Sequence, residues 1–322
     1  MKRKLLILLY LLPFTLFAQQ WVQFSQQDKY SLYLNPAMSG YDSQLSATLA
    51  HRSQYVGLAN KSIATQYLDF STPIGSEKVG AGIRVVNDII GFQRFTTIEL
   101  NGAYHLAMGK SKLSFGLGLG FANLSVDGTK LRAVDGNYQN GQLIHNDESI
   151  PNEKIGGLNF TSAFGVHYSI ADFSAGIAIQ NINSPKISLS LSEYETNVYI
   201  GRTINMYGGY VIEVQKMKVT PFVSYKTDFV EHQAAMKVML AVNKIDLSVG
   251  YRGFTANSQD AVMGEFGFKI KQKVRVGYSY DYNLSFLNDF NSGSHELSIK
   301  YIMPMQFSTR KQGNTWYNPR FL

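Results

Sequence analysis

The sequence contains no cysteine and little proline. None of the 322 residues is Cys, and only 8 are Pro. Without thiols the chain can form no disulfide, no thiolate nucleophile and no lipid anchor on cysteine. Charged residues make up only 16% of the chain, against about 25% in typical soluble domains. Because it also carries 20 Tyr and 20 Phe, the chain needs an environment for its aromatic surface, and a bilayer interface is one.

Long hydrophobic runs are missing as well. No segment after the amino-terminal leader approaches 18 consecutive apolar residues, so no transmembrane helix is predicted. Residues 1–18 are predicted to be a signal peptide, because Lys2, Arg3 and Lys4 precede an apolar run of about 13 residues that is too short to span a bilayer as a helix. Without these three basic residues the net charge falls from +7 to +4. No basic run with interleaved aromatics is present, so nucleic acid is not an expected partner.

Two-residue alternation recurs along the chain instead. Large apolar residues alternate with small or polar ones at 98–106, 113–121, 245–252, 274–282 and 296–301. Since successive strand residues point to opposite faces, each stretch has one apolar face and one small or polar face. The polar face of a soluble sandwich would be richer in Lys and Glu. Gly, Ala and Ser there favour the lumen of a membrane barrel, whose strands alternate apolar-out and polar-in.

About fourteen such segments can be counted, an even number, as is usual for bacterial barrels. They lie at 43–52, 62–71, 78–88, 95–106, 112–126, 158–169, 173–182, 202–211, 217–226, 233–242, 245–253, 261–270, 274–282 and 294–303. The first two are weakest, because His51 and Asp69 blur their alternation. Short joints alternate with mostly longer ones, as short periplasmic turns and longer extracellular loops do in outer-membrane barrels.

The predicted fold class is therefore all-β: an antiparallel transmembrane β-barrel of about 14 strands in the outer membrane of a Gram-negative bacterium. The barrel is expected at 43–303, after the signal peptide at 1–18 and a periplasmic N-terminal strip at 19–42. A periplasmic C-terminal tail is expected at 304–322.

Motifs for catalysis or metal binding are not found. None of the six histidines has a metal-ligand spacing, and His105 and His167, on predicted lumen faces, are interpreted as structural. His295 and Glu296 are adjacent in a strand, so their side chains point to opposite faces and make a poor dyad. No G-x-S-x-G nucleophile motif is present. The sequence therefore predicts no enzyme, no cofactor and no metal.

Two other features have structural interpretations. Gly116-x-Gly118-x-Gly120 lies inside an alternating strand and lacks the turn-to-helix context of a dinucleotide loop, so it is interpreted as small residues on a crowded lumen face. The acidic loop 127–157 could hold calcium, but its spacing matches no known calcium loop. A solvated loop is favoured, and the loop could also fold inward and narrow the lumen.

Short motifs occur in order at both ends of the chain. Gln23-Phe24-Ser25-Gln26 is followed by Leu34-Asn35-Pro36-Ala37 and Gly40. Gly277-Tyr278-Ser279-Tyr280-Asp281 is followed by Gly293-Ser294-His295-Glu296-Leu297, and Asn318-Pro319-Arg320-Phe321 ends the chain. Together with Asn181-Ile182-Asn183 before Pro185, these motifs resemble those of the PorP/SprF family of the type IX secretion system. Gln27–Tyr30 is more polar than the apolar segment that the family usually carries there.

The resemblance implies a non-enzymatic outer-membrane barrel that accompanies type IX export. The partners that it implies are membrane lipid, a secreted adhesin-type substrate, and periplasmic and outer-membrane components of the secretion system. The implied function is to dock or anchor the adhesin or to link to the periplasmic machinery. A porin or substrate-specific channel is the alternative, because about fourteen strands can enclose a ligand path. A membrane-embedded hydrolase is disfavoured for want of a nucleophile and base.

The motif residues are the candidate site, as structural elements or partner contacts. Asn35-Pro36 is a good turn opener, since Pro fixes φ. Tyr278 and Tyr280 are expected to point outward into an aromatic girdle. Asp281 and Glu296 are expected to face the lumen, where Arg275 or Lys300 could neutralise one of them. The full set is Asn35, Pro36, Tyr278, Tyr280, Asp281, Gly293, Ser294, His295 and Glu296.

Overall fold

A computed structural model describes residues 22–58, 63–139, 142–147, 149–190, 195–253, 259–285 and 290–305. The predicted signal peptide and most of the predicted tail, 306–322, lie outside the described residues. The strands are β1 (Gln44–Gln54), β2 (Ile63–Ile74), β3 (Ser76–Ile90), β4 (Gln93–Met108), β5 (Ser111–Asp127), β6 (Lys154–Ile170), β7 (Phe173–Gln180), β8 (Lys186–Ser190), β9 (Glu195–Tyr199), β10 (Thr203–Tyr210), β11 (Ile212–Val214), β12 (Met217–Thr227), β13 (His232–Val242), β14 (Ile245–Gly253), β15 (Gln259–Ile270), β16 (Val274–Asn283) and β17 (Ser294–Pro304).

Fourteen of these strands form a closed antiparallel barrel. From β1 to β7 and from β12 to β17, each strand pairs with its neighbour in the chain. β10 joins β7 to β12, and β1 pairs with β17 to close the barrel, with Thr48 opposite Lys300 and Arg52 opposite Glu296. The predicted fold class is thus confirmed. β8 and β9 form a separate hairpin, and the short β11 pairs only with the start of β12.

The alternation of the sequence becomes the two faces of the wall. Large apolar side chains such as Leu100, Leu117 and Leu119 are exposed on the outside, while the polar residues between them are buried inside. In β4, for example, Glu99, Asn101 and His105 are nearly inaccessible. This is the pattern of a wall that meets lipid outside and a polar interior within. No helix among the described residues is long and apolar enough to span a bilayer.

The two ends of the barrel differ in their connections. At the short-turn end, joints such as Gly109–Lys110, Ala171–Asp172 and Asn243–Lys244 contain two residues. At the other end, the long-loop end, the joints are mostly longer, although Gly91–Phe92 is an exception. In outer-membrane barrels the short-turn end faces the periplasm and the long-loop end faces the outside.

The β8–β9 hairpin, which the sequence pattern did not predict, packs against the inside of the wall at the long-loop end. Ile187 and Leu189 of β8 are buried against Ala122 and Leu124 of β5. Asn159 of β6 donates a hydrogen bond to the carbonyl of Lys186. The hairpin therefore covers part of the long-loop mouth from within.

The largest difference from expectation concerns the N-terminal strip. Residues 22–42, which the sequence suggested to lie outside the barrel in the periplasm, lie inside the lumen. The strip consists of 3-10 turns at Gln27–Lys29 and Pro36–Met38 around one α-helical turn at Ser31–Leu34. Tyr30, Leu32, Asn35 and Ala37 are completely buried. The lumen is lined with polar side chains, so a strip with polar residues fits there as well as in water.

The lipid-facing wall makes a testable prediction. Leu117, 60% exposed, is the seventh residue of β5. With a rise of about 3.3 Å per residue and a strand tilt of about 40°, it lies about 15 Å above the short-turn end, near the middle of an apolar band about 25 Å tall. Leu117→Arg should cost about 2–4 kcal/mol of the free energy of unfolding, measured by urea unfolding in phospholipid vesicles. Leu158→Arg is the matched control, because Leu158 is 61% exposed but lies about 30 Å up, beyond the band, where the cost should be about 0–1 kcal/mol. Equal costs at both positions would contradict the lipid boundary.

Candidate functional site

The motifs from the two ends of the chain meet inside the barrel. The Glu296 carboxylate accepts hydrogen bonds from the backbone N–H of Ser25 at 2.7 Å and of Gln26 at 3.1 Å. It also accepts one from the Tyr30 hydroxyl at 2.7 Å. Ser25 and Glu296 are 271 residues apart in the chain, so the first strip motif and the last strand motif form one site.

Two arginines neutralise the carboxylates of this site. Arg52 of β1 contacts Asp281 at 2.7 Å and Glu296 at 3.3 Å, and all three side chains are fully buried. Arg252 of β14 contacts Asp281 at 3.0 Å. Ser25 joins the group, because its hydroxyl donates to Asp281 at 2.5 Å and accepts from Arg52 at 2.8 Å. We call Ser25, Arg52, Arg252, Asp281 and Glu296 the latch network.

A second ionic group holds the strip against the nearby strands β13 and β15. Lys237 of β13 donates to the Ser25 carbonyl at 2.7 Å and contacts the carboxylates of Asp28 at 2.5 Å and Glu265 at 2.8 Å. Lys29 also pairs with Glu265. These side chains are almost completely buried. Since buried charges are tolerated only when paired, the polar residues at 27–30 fit this part of the lumen.

The carboxyl-terminal half of the strip is held through its backbone. Arg84 of β3, paired with Glu99 at 3.0 Å, donates to the carbonyls of Leu32 and Tyr33. Further along, His105 of β4 donates to the carbonyl of Ser39 at 2.9 Å. The strip's contacts therefore run from β16 and β17 near the long-loop end to β4 near the short-turn end.

Aromatic rings fill the space between the charged groups. The rings of Phe24 and Tyr33 meet edge to face at 5.0 Å, and Tyr30 stacks on Tyr67 of β2 at 4.9 Å. Phe24, Tyr30, Tyr33 and Tyr67 are all buried. Such aromatic pairs contribute about 0.5–1.5 kcal/mol each beyond their area burial. The strip is thus packed against the wall by apolar contacts as well as by ion pairs.

Asn35 and Pro36 form a close contact between strip and wall. The Asn35 side chain accepts a hydrogen bond from the Ala37 N–H at 2.8 Å and donates to the carbonyls of Val166 and Ile177. Pro36 starts the following 3-10 turn, a position that suits its fixed φ and missing N–H. Gly116 of β5 leaves room for this turn, because a Cβ atom there would overlap the backbone of Pro36 and Ala37.

The remaining motif residues shape the outer wall and one loop. Tyr278 points outward and its hydroxyl hydrogen-bonds to His295 at 2.7 Å. Gly293 takes a φ of 85°, a left-handed conformation that favours glycine. A Cβ atom on Gly293 would also overlap the Tyr280 ring. The Ser294 hydroxyl accepts from the N–H of Tyr55. These residues fix the edge of the wall from which Asp281 and Glu296 point inward.

The partners of the two carboxylates differ from those expected. Arg275 contacts Asp246 at 3.1 Å, and Lys300 donates to the Lys29 carbonyl at 3.4 Å, so neither neutralises Asp281 or Glu296. Sequence reasoning missed Arg52 and Arg252. Both occupy inward positions of alternating strands, and a cation on an inward position is the signal that could have identified them, because a buried charge requires a partner.

The arrangement holds a polypeptide segment of the same chain inside the lumen. A cavity of about 440 Å³ remains at the short-turn end, between the strip and the wall, and Asp28, Lys29, Tyr207, Arg275 and Lys300 are among its lining residues. Its buried acidic side chains are ion-paired to neighbouring cations. In the part of the chain that the structure describes, no group of three or more His, Asp or Glu side chains could hold a metal ion.

Solved structures share the fold. A FadL homologue of Pseudomonas aeruginosa is 9% identical with a TM-score of 0.50, covering 85% of this chain and 93% of that one. A mutant of TodX, a monoaromatic hydrocarbon channel, is 10% identical with a TM-score of 0.51, covering 85% of this chain and 94% of that one. At these identities the similarity shows the barrel architecture alone. No curated protein matches the sequence.

A family model matches most of the chain. The model described as "Type IX secretion system membrane protein PorP/SprF" covers residues 16–301. The match includes the strip, every barrel strand up to β17 and all residues of the latch network.

The latch network makes a testable prediction. Glu296→Ala removes the acceptor of Ser25, Gln26 and Tyr30, and a buried donor left without a partner costs about 1–3 kcal/mol. The amino end of the strip should then open more often. Since the chain has no cysteine, Phe24→Cys provides a single reporter, and its maleimide labelling should become roughly tenfold faster in the Glu296→Ala background.

The matched control for this experiment is Glu231→Ala, which removes an exposed carboxylate between β12 and β13. Labelling should stay at the rate of the Phe24→Cys parent in this control. An unchanged rate in the Glu296→Ala background would mean that the latch network does not hold the strip.

Proposed function

This chain belongs to the PorP/SprF family of type IX secretion system membrane proteins, and we propose that it acts as a non-enzymatic docking component of that system. It is an outer-membrane protein, and in this role it anchors a secreted adhesin or links the outer membrane to the periplasmic machinery. The family match over residues 16–301 carries the proposal.

The content of the lumen supports a docking role over passive transport. The strip crosses the lumen and is tied to β1, β3, β4, β13, β16 and β17. A general porin needs an open aqueous path, and side chains that would line such a path, Glu99, Lys237 and Glu265, are here engaged in ion pairs. Partners are therefore met at the two rims of the barrel.

The channel alternative also has an observation in its favour. A cavity of about 440 Å³ opens at the short-turn end, and TodX, which shares the fold, is described as a monoaromatic hydrocarbon channel. A transport path would require the strip to move out of the lumen. Conductance and adhesin display separate the two functions.

The docking role predicts a defect in surface display. Deletion of the chain should abolish display of the cognate adhesin, measured by surface immunolabelling of intact cells, while uptake of small solutes stays unchanged. Complementation with the unaltered gene should restore display. Normal adhesin display in the deletion strain would refute the docking role.

The occupied lumen predicts an electrically silent barrel. The purified protein in a planar bilayer should show no steady channels, because the latch network holds the strip in place. The Glu296→Ala variant should show transient openings as the strip loosens, whereas Glu231→Ala should stay silent. Steady channels from the unaltered protein would favour the porin function.

A further inference from the structure

Positive charge is concentrated on one side of the short-turn rim. Three successive turns, β11–β12, β13–β14 and β15–β16, contain Lys216, Lys244, Lys271 and Lys273. All four are exposed, and within the described part of the chain no acidic side chain forms an ion pair with any of them. Of the acidic residues nearby, Glu213 and Asp246 are already paired with other cations, and Asp172, whose carbonyl accepts from the N–H of Val211, lies at the edge of the arc. We call these four lysines the lysine arc.

On the other half of the same rim, positive and negative charges are equal in number. Its turns β4–β5 and β6–β7 carry Lys110 and Asp172, and the start of β3 carries Glu77 and Lys78, all exposed. A general preference of rim lysines for the membrane surface would place them all around the barrel. The positive charge is instead concentrated along β11–β16.

The lysine arc has the dimensions of a short peptide. Its turns are separated by two strands each, so successive turns lie about 10 Å apart and the arc spans about 20 Å. An extended segment covers this distance with about six residues. Since the charges lie about one Debye length apart at physiological salt, their potentials overlap and attract one acidic segment together.

Two inward cations lie at the same end of the barrel: Arg275 is paired with Asp246, and Lys300 forms no ion pair with a described acidic residue. Arg275 and Lys300 line the cavity at the same end and face inward. Bilayer lipid lies outside the wall and cannot reach inward-facing side chains. A binder that meets both the lysine arc and Lys300 must therefore approach from the aqueous space below the barrel.

We propose that the lysine arc docks an acidic segment of a periplasmic protein. This deepens the proposed function, on which it rests, by assigning the chemistry of the periplasmic partner: a stretch rich in Asp and Glu, bound at the rim of β11–β16. Electrostatic complementarity of this kind sets orientation and speeds association more than it adds affinity.

The test uses the full-length protein in phosphatidylcholine nanodiscs and a fluorescein-labelled deca-glutamate peptide as the probe. The unaltered protein should bind the peptide, with affinity falling as salt is added. The variant with Lys216→Glu, Lys244→Glu, Lys271→Glu and Lys273→Glu should bind roughly tenfold more weakly or worse, since four exposed charge contacts are reversed.

The matched control reverses four exposed lysines elsewhere: Lys78→Glu and Lys110→Glu on the balanced half-rim, and Lys154→Glu and Lys186→Glu at the long-loop end. It has the same net charge as the arc variant and should bind the peptide nearly as well as the unaltered protein. Equal loss in both variants would mean that net charge alone attracts the probe and would overturn the proposal.

One further outcome and one folding check complete the test. If the unaltered protein ignores deca-glutamate but retains phosphatidylglycerol in native mass spectrometry, and the arc variant loses that lipid, the lysine arc is a lipid contact and the proposal is overturned. Heat-modified gel mobility checks that each variant is folded. Because binding is measured on purified protein, its failure is distinguishable from failure of the docking role, which is measured as adhesin display in cells.

Discussion

The ion pairs of Arg52 with Asp281 and Glu296 are the interaction on which the rest of the interior depends. All three side chains are fully buried, where an unpaired charge would cost several kcal/mol. They come from β1, β16 and β17, so they also bridge the seam where the barrel closes. The backbone N–H groups of Ser25 and Gln26 donate to the Glu296 carboxylate. Closure of the wall and filling of the lumen therefore share one set of charges.

The wall could be predicted from sequence because its rule is local. Each residue faces lipid or lumen according to its parity, and all fourteen segments correspond to strands of the barrel. Even the blurred segment at 62–71 follows the rule: Asp69 points inward, where the Tyr67 hydroxyl donates to it at 2.6 Å. A charge that looked like an interruption is an ordinary lumen residue.

The position of the strip could not be predicted by the same means. A polar segment before the first strand has the same composition whether it lies in the periplasm or in a polar lumen. What distinguishes the two is contact between residues far apart in the chain, such as Lys237 with Asp28 and Glu296 with Ser25. Asp281 and Glu296 were expected to face the lumen, but their arginine partners lie on β1 and β14. Alternation gives the face of each residue and leaves its partner across the lumen undetermined.

The enclosed strip also constrains the order in which the molecule is built. The strip is synthesised first, yet the strands that hold its amino end, β16 and β17, are synthesised last. A sheet that lacks β16 and β17 has Arg52 but neither of the carboxylates that pair with it. Only a chain whose final hairpin has arrived can bind its own beginning. The latch network is complete only when β1, β14, β16 and β17 are all in place, so burial of the strip's amino end depends on completion of the barrel.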